Sequence, residues 1–98
     1  MGTTSDLDLA EVLAALADPI RLRIVGALDE LGEVRCGGLD LPITKSTASH
    51  HFRVLREAGL IEQRIEGKHR FNSLRREQLD GCFPGLLDAV LDGARVTS

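Results

Sequence analysis

The segment from Thr44 to Leu60, TKSTASHHFRVLREAGL, concentrates side chains that can donate hydrogen bonds or bind ions. In a helix each residue turns about 100° from the last, and on that pattern this segment separates into two sides. One side, centred on Ala48, carries the apolar residues Phe52, Leu55 and Ala58. The other side carries polar residues, with two bases at its margin: Ser46, Ser49, His50, Arg53 and Glu57, flanked by Lys45 and Arg56. Such a polar side suits nucleophilic catalysis, metal binding or hydrogen bonding to a polyanion.

Catalysis and metal binding are both poorly supported by this pattern. Ser49 lies beside His50 and His51, but no carboxylate at a defined position would orient a histidine base. No glycine-rich loop would cradle a phosphate group. Adjacent helical residues point about 100° apart, so the two histidines do not readily share one metal ion. The sequence therefore predicts no enzyme, no cofactor and no histidine metal site.

Hydrogen bonding to DNA fits the same residues better. Serine, arginine, lysine and histidine are the donors that proteins direct at phosphate oxygens and at base edges in the major groove. The chain has a net charge of −3, yet eight basic and only three acidic residues lie between Thr44 and Arg76. A basic patch on an otherwise acidic body steers an oriented approach to a polyanion. Double-stranded DNA is the predicted partner.

Apolar periodicity predicts two helices ahead of this segment. The first, from Leu7 to Ala17, is apolar nearly all round, so it should bury a second face against another subunit. Asp18 and Pro19 predict the start of the second helix, and Gly32 its end. The residues that share the predicted inner face of this second helix are Ile20, Ile24, Ala27, Leu28 and Leu31.

The flanking segments supply the rest of the predicted fold. EVRCGGLDLP is ambiguous, and we interpret it as a short helical turn around Leu39 to Leu41, followed by the donor-rich helix with Thr44 or Ser46 as its cap. Two short strands about a Glu66–Gly67–Lys68 turn form a hairpin with a basic tip at Lys68, His69 and Arg70. A last helix begins at about Arg75, is interrupted near Gly81 and Pro84, and continues through Leu91.

This order predicts a mainly α fold with a small β-hairpin. A short helix turning into a donor-rich helix, with a basic hairpin behind it, is a winged helix-turn-helix. The 98 residues make one domain, 1–98. No apolar run reaches transmembrane length, and the N-terminus lacks the pattern of a signal peptide. A cytoplasmic protein without a membrane partner is expected.

Three stretches resemble the arsenic-repressor (ArsR-type) family of bacterial transcriptional repressors: LADPIRLRIVGAL, STASHHFRVLREAGLI and EGKHRFNSL. The most specific match is the pattern Ser-x-His-hydrophobe-x-x-Leu-x-x-Ala-Gly-Leu, at Ser49, His51, Phe52, Leu55, Ala58, Gly59 and Leu60. The resemblance implies a homodimer built on the first and last helices, whose recognition helices enter the major groove of a palindromic operator. The predicted DNA-binding residues are Thr44, Lys45, Ser46, Ser49, His50, His51, Arg53, Lys68, His69 and Arg70.

One departure from the family bears on sensing. Many members carry a Cys-x-Cys metal box, but here EVRCGGLDL keeps Cys36 and has Gly38 in place of the second thiolate. The last helix offers Asp80, Cys82, Asp88 and Asp92 but no histidine, short of the roughly four nitrogen or sulfur ligands of a zinc site. The sequence thus predicts a repressor that does not respond to metal, with an inducer it does not identify. Two alternatives stay open: an arsenite, metal or redox sensor that uses Cys36 and Cys82, and a winged helix that binds another protein.

Overall fold

The structure is a computed structural model that describes residues 7–35 and 37–97. Across these residues, helices pack around a three-stranded antiparallel sheet with strand order β1-β3-β2. The elements are α1 (Leu9–Leu16), α2 (Pro19–Leu31), β1 (Glu33–Arg35), α3 (Lys45–Glu57), β2 (Ile61–Glu66), β3 (His69–Leu74), α4 (Arg76–Cys82) and α5 (Leu86–Thr97). The predicted mainly helical fold with a small hairpin is confirmed.

The ends of α2 follow from local chemistry, as predicted. The Asp18 carboxylate caps the helix by accepting hydrogen bonds from the backbone N–H of Ile20 at 2.8 Å and of Arg21 at 3.1 Å. Gly32 ends it with a φ of 85°, and its N–H donates to the Leu28 carbonyl at 2.8 Å. Leu31, the last residue of the helix, is 66% exposed, so its predicted place on the inner face is wrong.

The core lies where α2 meets its neighbours. Ile24, Val25 and Leu28 are almost fully buried, and α2 contacts α1, α3, α5 and β3. The other elements contribute further buried apolar residues to the same cluster: Val12, Ala15, Leu16, Val34, Phe52, Leu55, Ala58, Leu60, Ile61, Leu79, Leu87 and Leu91. This single core fixes the position of α3 and of the hairpin relative to α2.

The segment between α2 and α3 differs from the prediction. Leu39 to Leu41 forms no helical turn, because Pro42 disfavours the helical conformation of the residue before it. The chain instead bends there, with Leu39 and Leu41 packed against the core. Before this bend, β1 pairs with β3 through Val34 and Asn72, a strand that the sequence did not predict.

The hairpin and the last helices are confirmed. β2 and β3 pair from Ile61 opposite Leu74 to Glu66 opposite His69, and Gly67 takes the left-handed conformation, φ 60°, in the two-residue turn. Turns of this length match the strand twist and accept glycine in that conformation without steric cost. The helix is interrupted between Cys82 and Leu86, near the predicted interruption, and α5 then continues past Leu91.

Candidate nucleic-acid interface

The predicted amphipathic character of α3 is confirmed. Thr44 is its cap, and the Thr44 hydroxyl accepts a hydrogen bond from the Thr47 N–H at 3.2 Å. His51, Phe52 and Leu55 are the buried residues of the helix. The polar side chains opposite them all face outward: Lys45, Ser46, Ser49, His50 and Arg53. Their contact with DNA stays a prediction.

The Ala-Gly-Leu motif ends α3 by a specific arrangement of backbone hydrogen bonds. The N–H of Gly59 donates to the Arg56 carbonyl and the N–H of Leu60 donates to the Leu55 carbonyl, both at 3.0 Å. This is the Schellman arrangement, which requires a left-handed residue, and Gly59 has a φ of 86°. The chain then turns directly into β2, so the motif sets how the hairpin sits beside α3.

A cleft of about 290 Å³ lies between α3 and the hairpin. We call it the basic cleft, and it is lined by Ser46, Ser49, His50, Phe52, Arg53, Arg56, Gln63 and Arg70. It therefore brings together predicted residues of the helix and one predicted residue of the hairpin. Arg56 and Gln63 are lining residues that we did not predict. The alternation Ile61, Gln63, Ile65 along β2 was the available signal for Gln63, since every second residue shares a face.

Gln63, one of the residues that line the cleft, contacts a buried amide. Asn72 in β3 is fully buried, and its side-chain oxygen lies 3.5 Å from the amide nitrogen of Gln63, which donates to it. The two residues stand opposite each other in the β2–β3 register. Cross-strand pairs of this kind restrict the rotamers of the more exposed partner. Gln63 is thus held with its side chain at the cleft.

The cations of the interface differ in their partners. Within residues 7–35 and 37–97, no carboxylate forms an ion pair with the following five: Lys45, Arg53, Arg56, Lys68 and Arg70. Of the residues that the structure describes, no acidic one lines the basic cleft. A cluster of like charges without counterions raises the electrostatic energy of the free protein, and a polyanion relieves it.

Arg64, by contrast, is neutralised within the sheet. Its guanidinium binds the Glu33 carboxylate through two nitrogens, at 2.8 and 3.2 Å, and Glu66 at 3.1 Å. It also lies 4.6 Å from the ring centre of Phe71. The hydrogen bond with Glu33 raises the pKa of Arg64, and the same bond lowers the pKa of Glu33. Arg64 therefore ties β1 and β2 together across β3.

Arg76 is neutralised in a similar way. It pairs with Asp29 of α2 at 2.8 Å, with Asp80 of α4 at 3.2 Å and with Asp88 of α5. The hydrogen bond that Arg76 donates to the Asp88 carboxylate is the main reason that the pKa of Arg76 is raised. This residue holds three helices together and contributes little free charge.

Five of the predicted residues do not line the basic cleft: Thr44, Lys45, His51, Lys68 and His69. His51 is 9% exposed, and its Nδ1 lies 3.1 Å from Nη1 of Arg21 in α2. His69 is exposed at the start of β3, where its Nδ1 lies 3.5 Å from Nη1 of Arg35. Since successive strand residues point to opposite faces, His69 and Arg70 lie on different sides of the sheet. Lys68 is exposed in the turn.

Comparison with known proteins assigns this arrangement to a family. The profile of the helix-turn-helix domain matches residues 16–64. The chain is 38% identical to the HTH-type transcriptional regulator YceK of Bacillus subtilis, over 92% of this chain and 93% of that protein. Solved ArsR-family regulators share the fold. The chain belongs to the ArsR-type family of winged helix-turn-helix transcriptional regulators.

Other ArsR-type relatives carry names that refer to toxic elements. A CadC homolog from Staphylococcus aureus, a cadmium resistance transcriptional regulatory protein, is 37% identical over 81% of this chain and 67% of that protein. A crystal structure described as "Possible transcriptional regulator for arsenical resistance" superposes with a TM-score of 0.67 at 32% identity, over 90% of this chain and 96% of that one.

The residues that bear on metal binding in an ArsR-type protein are only partly described here. Cys36 lies outside the described residues, and Cys82 is exposed at the end of α4. Among the residues that the structure describes, no group of three or more His, Cys, Asp or Glu side chains could hold a metal ion. A search of the same residues finds no helix long and apolar enough to span a membrane.

Proposed function

We propose that this chain represses transcription by binding a palindromic operator as a homodimer. In this proposal α3 enters the major groove, and the hairpin lies against the phosphate backbone of the same duplex. The observation that carries it is the basic cleft, where Arg53, Arg56 and Arg70 converge and no described carboxylate forms an ion pair with them. Phosphate oxygens would supply the missing anions, and the exposed donors of α3 would face the base edges.

The exposed apolar residues of α1 support the dimer. Leu9 and Leu13 are 47% and 44% exposed, and they are one helical turn apart on the side of α1 that the core leaves uncovered. A small domain gains stability when such a surface is buried against a second copy. Two α3 helices related by a two-fold axis would then meet half-sites about 34 Å apart.

The turn around Gly38 supports a repressor that does not depend on the Cys-x-Cys metal box. The Gly38 N–H donates to the Arg35 carbonyl at 2.7 Å. A Cβ atom at Gly38 would lie 2.9 Å from that same carbonyl oxygen, closer than side chains tolerate. This conformation therefore has no room for the second thiolate. We further propose that the protein is cytoplasmic and has no catalytic activity.

The test is binding to DNA fragments taken from upstream of the protein's own gene, followed by fluorescence anisotropy at several salt concentrations. The dimer should prefer one fragment strongly over unrelated duplex. The five interface cations of each protomer could neutralise up to about ten phosphates per dimer. Counterion release should then give a slope of log affinity against log salt no steeper than about −9. Arg70→Gln should flatten that slope, whereas Arg23→Gln, which removes a charge from the surface of α2, should not. A protein that shifts no genomic fragment would contradict the proposal.

A further inference from the structure

A second polar network lies on the inner side of α3, away from the basic cleft. Arg21 of α2 is its centre, and the Arg21 side chain is only 15% exposed. Its Nε donates to the carbonyl oxygen of Ala15, in the last turn of α1, at 2.6 Å. Its Nη1 lies 3.1 Å from Nδ1 of His51 on α3. One guanidinium therefore contacts three helices.

The chemistry of the two groups determines the state of the histidine. An arginine side chain has donors only, so Nδ1 of His51 must act as the acceptor. This hydrogen bond requires the tautomer of His51 that carries its proton on Nε2. Asp18, whose carboxylate oxygen lies 4.0 Å from Arg21, balances the charge of the guanidinium. A protonated Nδ1 would both lose the hydrogen bond and face a second cation.

The network also connects the two elements that the proposed function uses, α1 and α3. α1 carries the exposed Leu9 and Leu13, and α3 carries the predicted groove contacts. Arg21 links the end of α1 to the middle of α3 by hydrogen bonds, which restrict sliding and rotation more than apolar packing does. Base-edge contacts depend on the helix position within a fraction of an ångström, whereas phosphate contacts by long side chains tolerate small shifts.

We propose that Arg21 is a positioning residue, which sets the placement of α3 for base recognition by donating to the neutral ring of His51. The inference rests on the proposed binding of operator DNA. It assigns His51 a role inside the protein, where it acts as the acceptor that fixes the helix. Loss of the bond should reduce discrimination between operator and unrelated DNA while leaving unrelated duplex bound as before.

The test compares variants that differ in where they place an acceptor. Asn places its side-chain oxygen near the position of Nδ1, whereas Gln places it near Nε2. We expect Arg21→Met and His51→Gln each to lower the ratio of operator affinity to unrelated-DNA affinity by about tenfold or more. His51→Asn, which keeps an acceptor near the position of Nδ1, should keep this ratio within about threefold of that of the original protein. Affinities are measured below the melting temperature of every variant, so that only folded protein is compared.

Each outcome decides one of the two proposals. If the original protein does not discriminate operator from unrelated DNA, the proposed function fails. If it discriminates and Arg21→Met discriminates equally well, the positioning role fails alone. Nitrogen-15 NMR of the His51 ring in the original protein tests the bond even if a variant does not fold. A proton on Nδ1 would overturn the inference, and a proton on Nε2 alone would support it.

Discussion

Basic residues of the same type have different roles in this protein because of their partners. Arg53 and Arg70 face the basic cleft without a carboxylate, whereas Arg64 binds Glu33 and Glu66. The sequence predicts all three as part of one basic region. It does not predict which are neutralised, because Glu33 lies 31 positions from Arg64 and approaches it only through the sheet.

The free cations should separate into residues that read bases and residues that bind phosphates. Arg53→Ala should cost about 1–3 kcal/mol of operator affinity and relax the preference at one base pair, if its guanidinium reaches a base edge. Lys68→Ala should weaken binding to all duplexes alike. A base-pair scan of the operator with each variant measures the difference, and an equal loss across all sequences for Arg53→Ala would assign that residue to the backbone.

Asp18 should give the folded protein a contribution to stability that depends on pH. Burial raises the pKa of Asp18, but the hydrogen bonds from the N–H groups of Arg21 and Ile20 and the charge of Arg21 bring it below its ordinary value of 3.8. Because the pKa is lower in the folded state, this contribution is complete above that value and is lost as the pH falls through the folded pKa.

Urea unfolding between about pH 2 and pH 6 measures this effect. Asp18→Asn keeps a capping side chain but removes the charge, so its deficit in the free energy of unfolding should be largest near pH 6 and should shrink in acid. A deficit that stays constant over this range would show that ionisation of Asp18 contributes nothing.

At the scale of elements, the sequence predicts best those features that depend on contacts between residues close in the chain. The start of α2 and the buried face of α3 depend on residues within a few positions, and both were predicted correctly. β1 was missed because its strand character depends on pairing of Val34 with Asn72 in β3. The sequence predicts a short helical turn at Leu39 to Leu41, because Gly37, Gly38 and Pro42 exclude only a longer helix, but the structure has a bend there.

The junction of α3 and β2 should be sensitive to its glycine. Gly59→Ala should destabilise the protein by more than about 1–2 kcal/mol, because a Cβ costs that amount in the left-handed conformation and would also clash with the Leu7 side chain. Gly26→Ala is the matched control. Gly26 lies inside α2 with no atom within 4 Å of an added Cβ, so alanine there should stabilise by up to about 1 kcal/mol. Thermal unfolding of both variants measures the two effects, and equal shifts would contradict the role of the junction.

At the scale of the whole molecule, the basic surface and the exposed apolar surface lie on separate elements. Among the described residues, the five interface cations without a carboxylate partner lie on α3 and the hairpin, and exposed leucines lie on α1. The core around α2 connects the two regions rigidly. In the proposed dimer, pairing of α1 would hold the two α3 helices, one from each protomer, at a fixed separation.

Disruption of that pairing should abolish operator binding. Leu13→Glu would place a charge in the proposed interface, where burial without a partner is costly. Leu31→Glu is the control, because Leu31 is exposed at the far end of α2. Sedimentation should show a monomer for Leu13→Glu and a dimer for Leu31→Glu, and only the latter should bind the operator tightly. A dimeric Leu13→Glu protein would locate the interface elsewhere.

The close approach of the Arg35 carbonyl oxygen to Gly38 bears on how this protein could evolve. A second thiol at this position would require replacement of Gly38 by cysteine. The Arg35 carbonyl, however, occupies the space that the new side chain would need. A lineage starting from this chain would have to rebuild the turn before the new thiol could contribute to a binding site. The conformation of the turn is therefore a barrier to acquiring that trait.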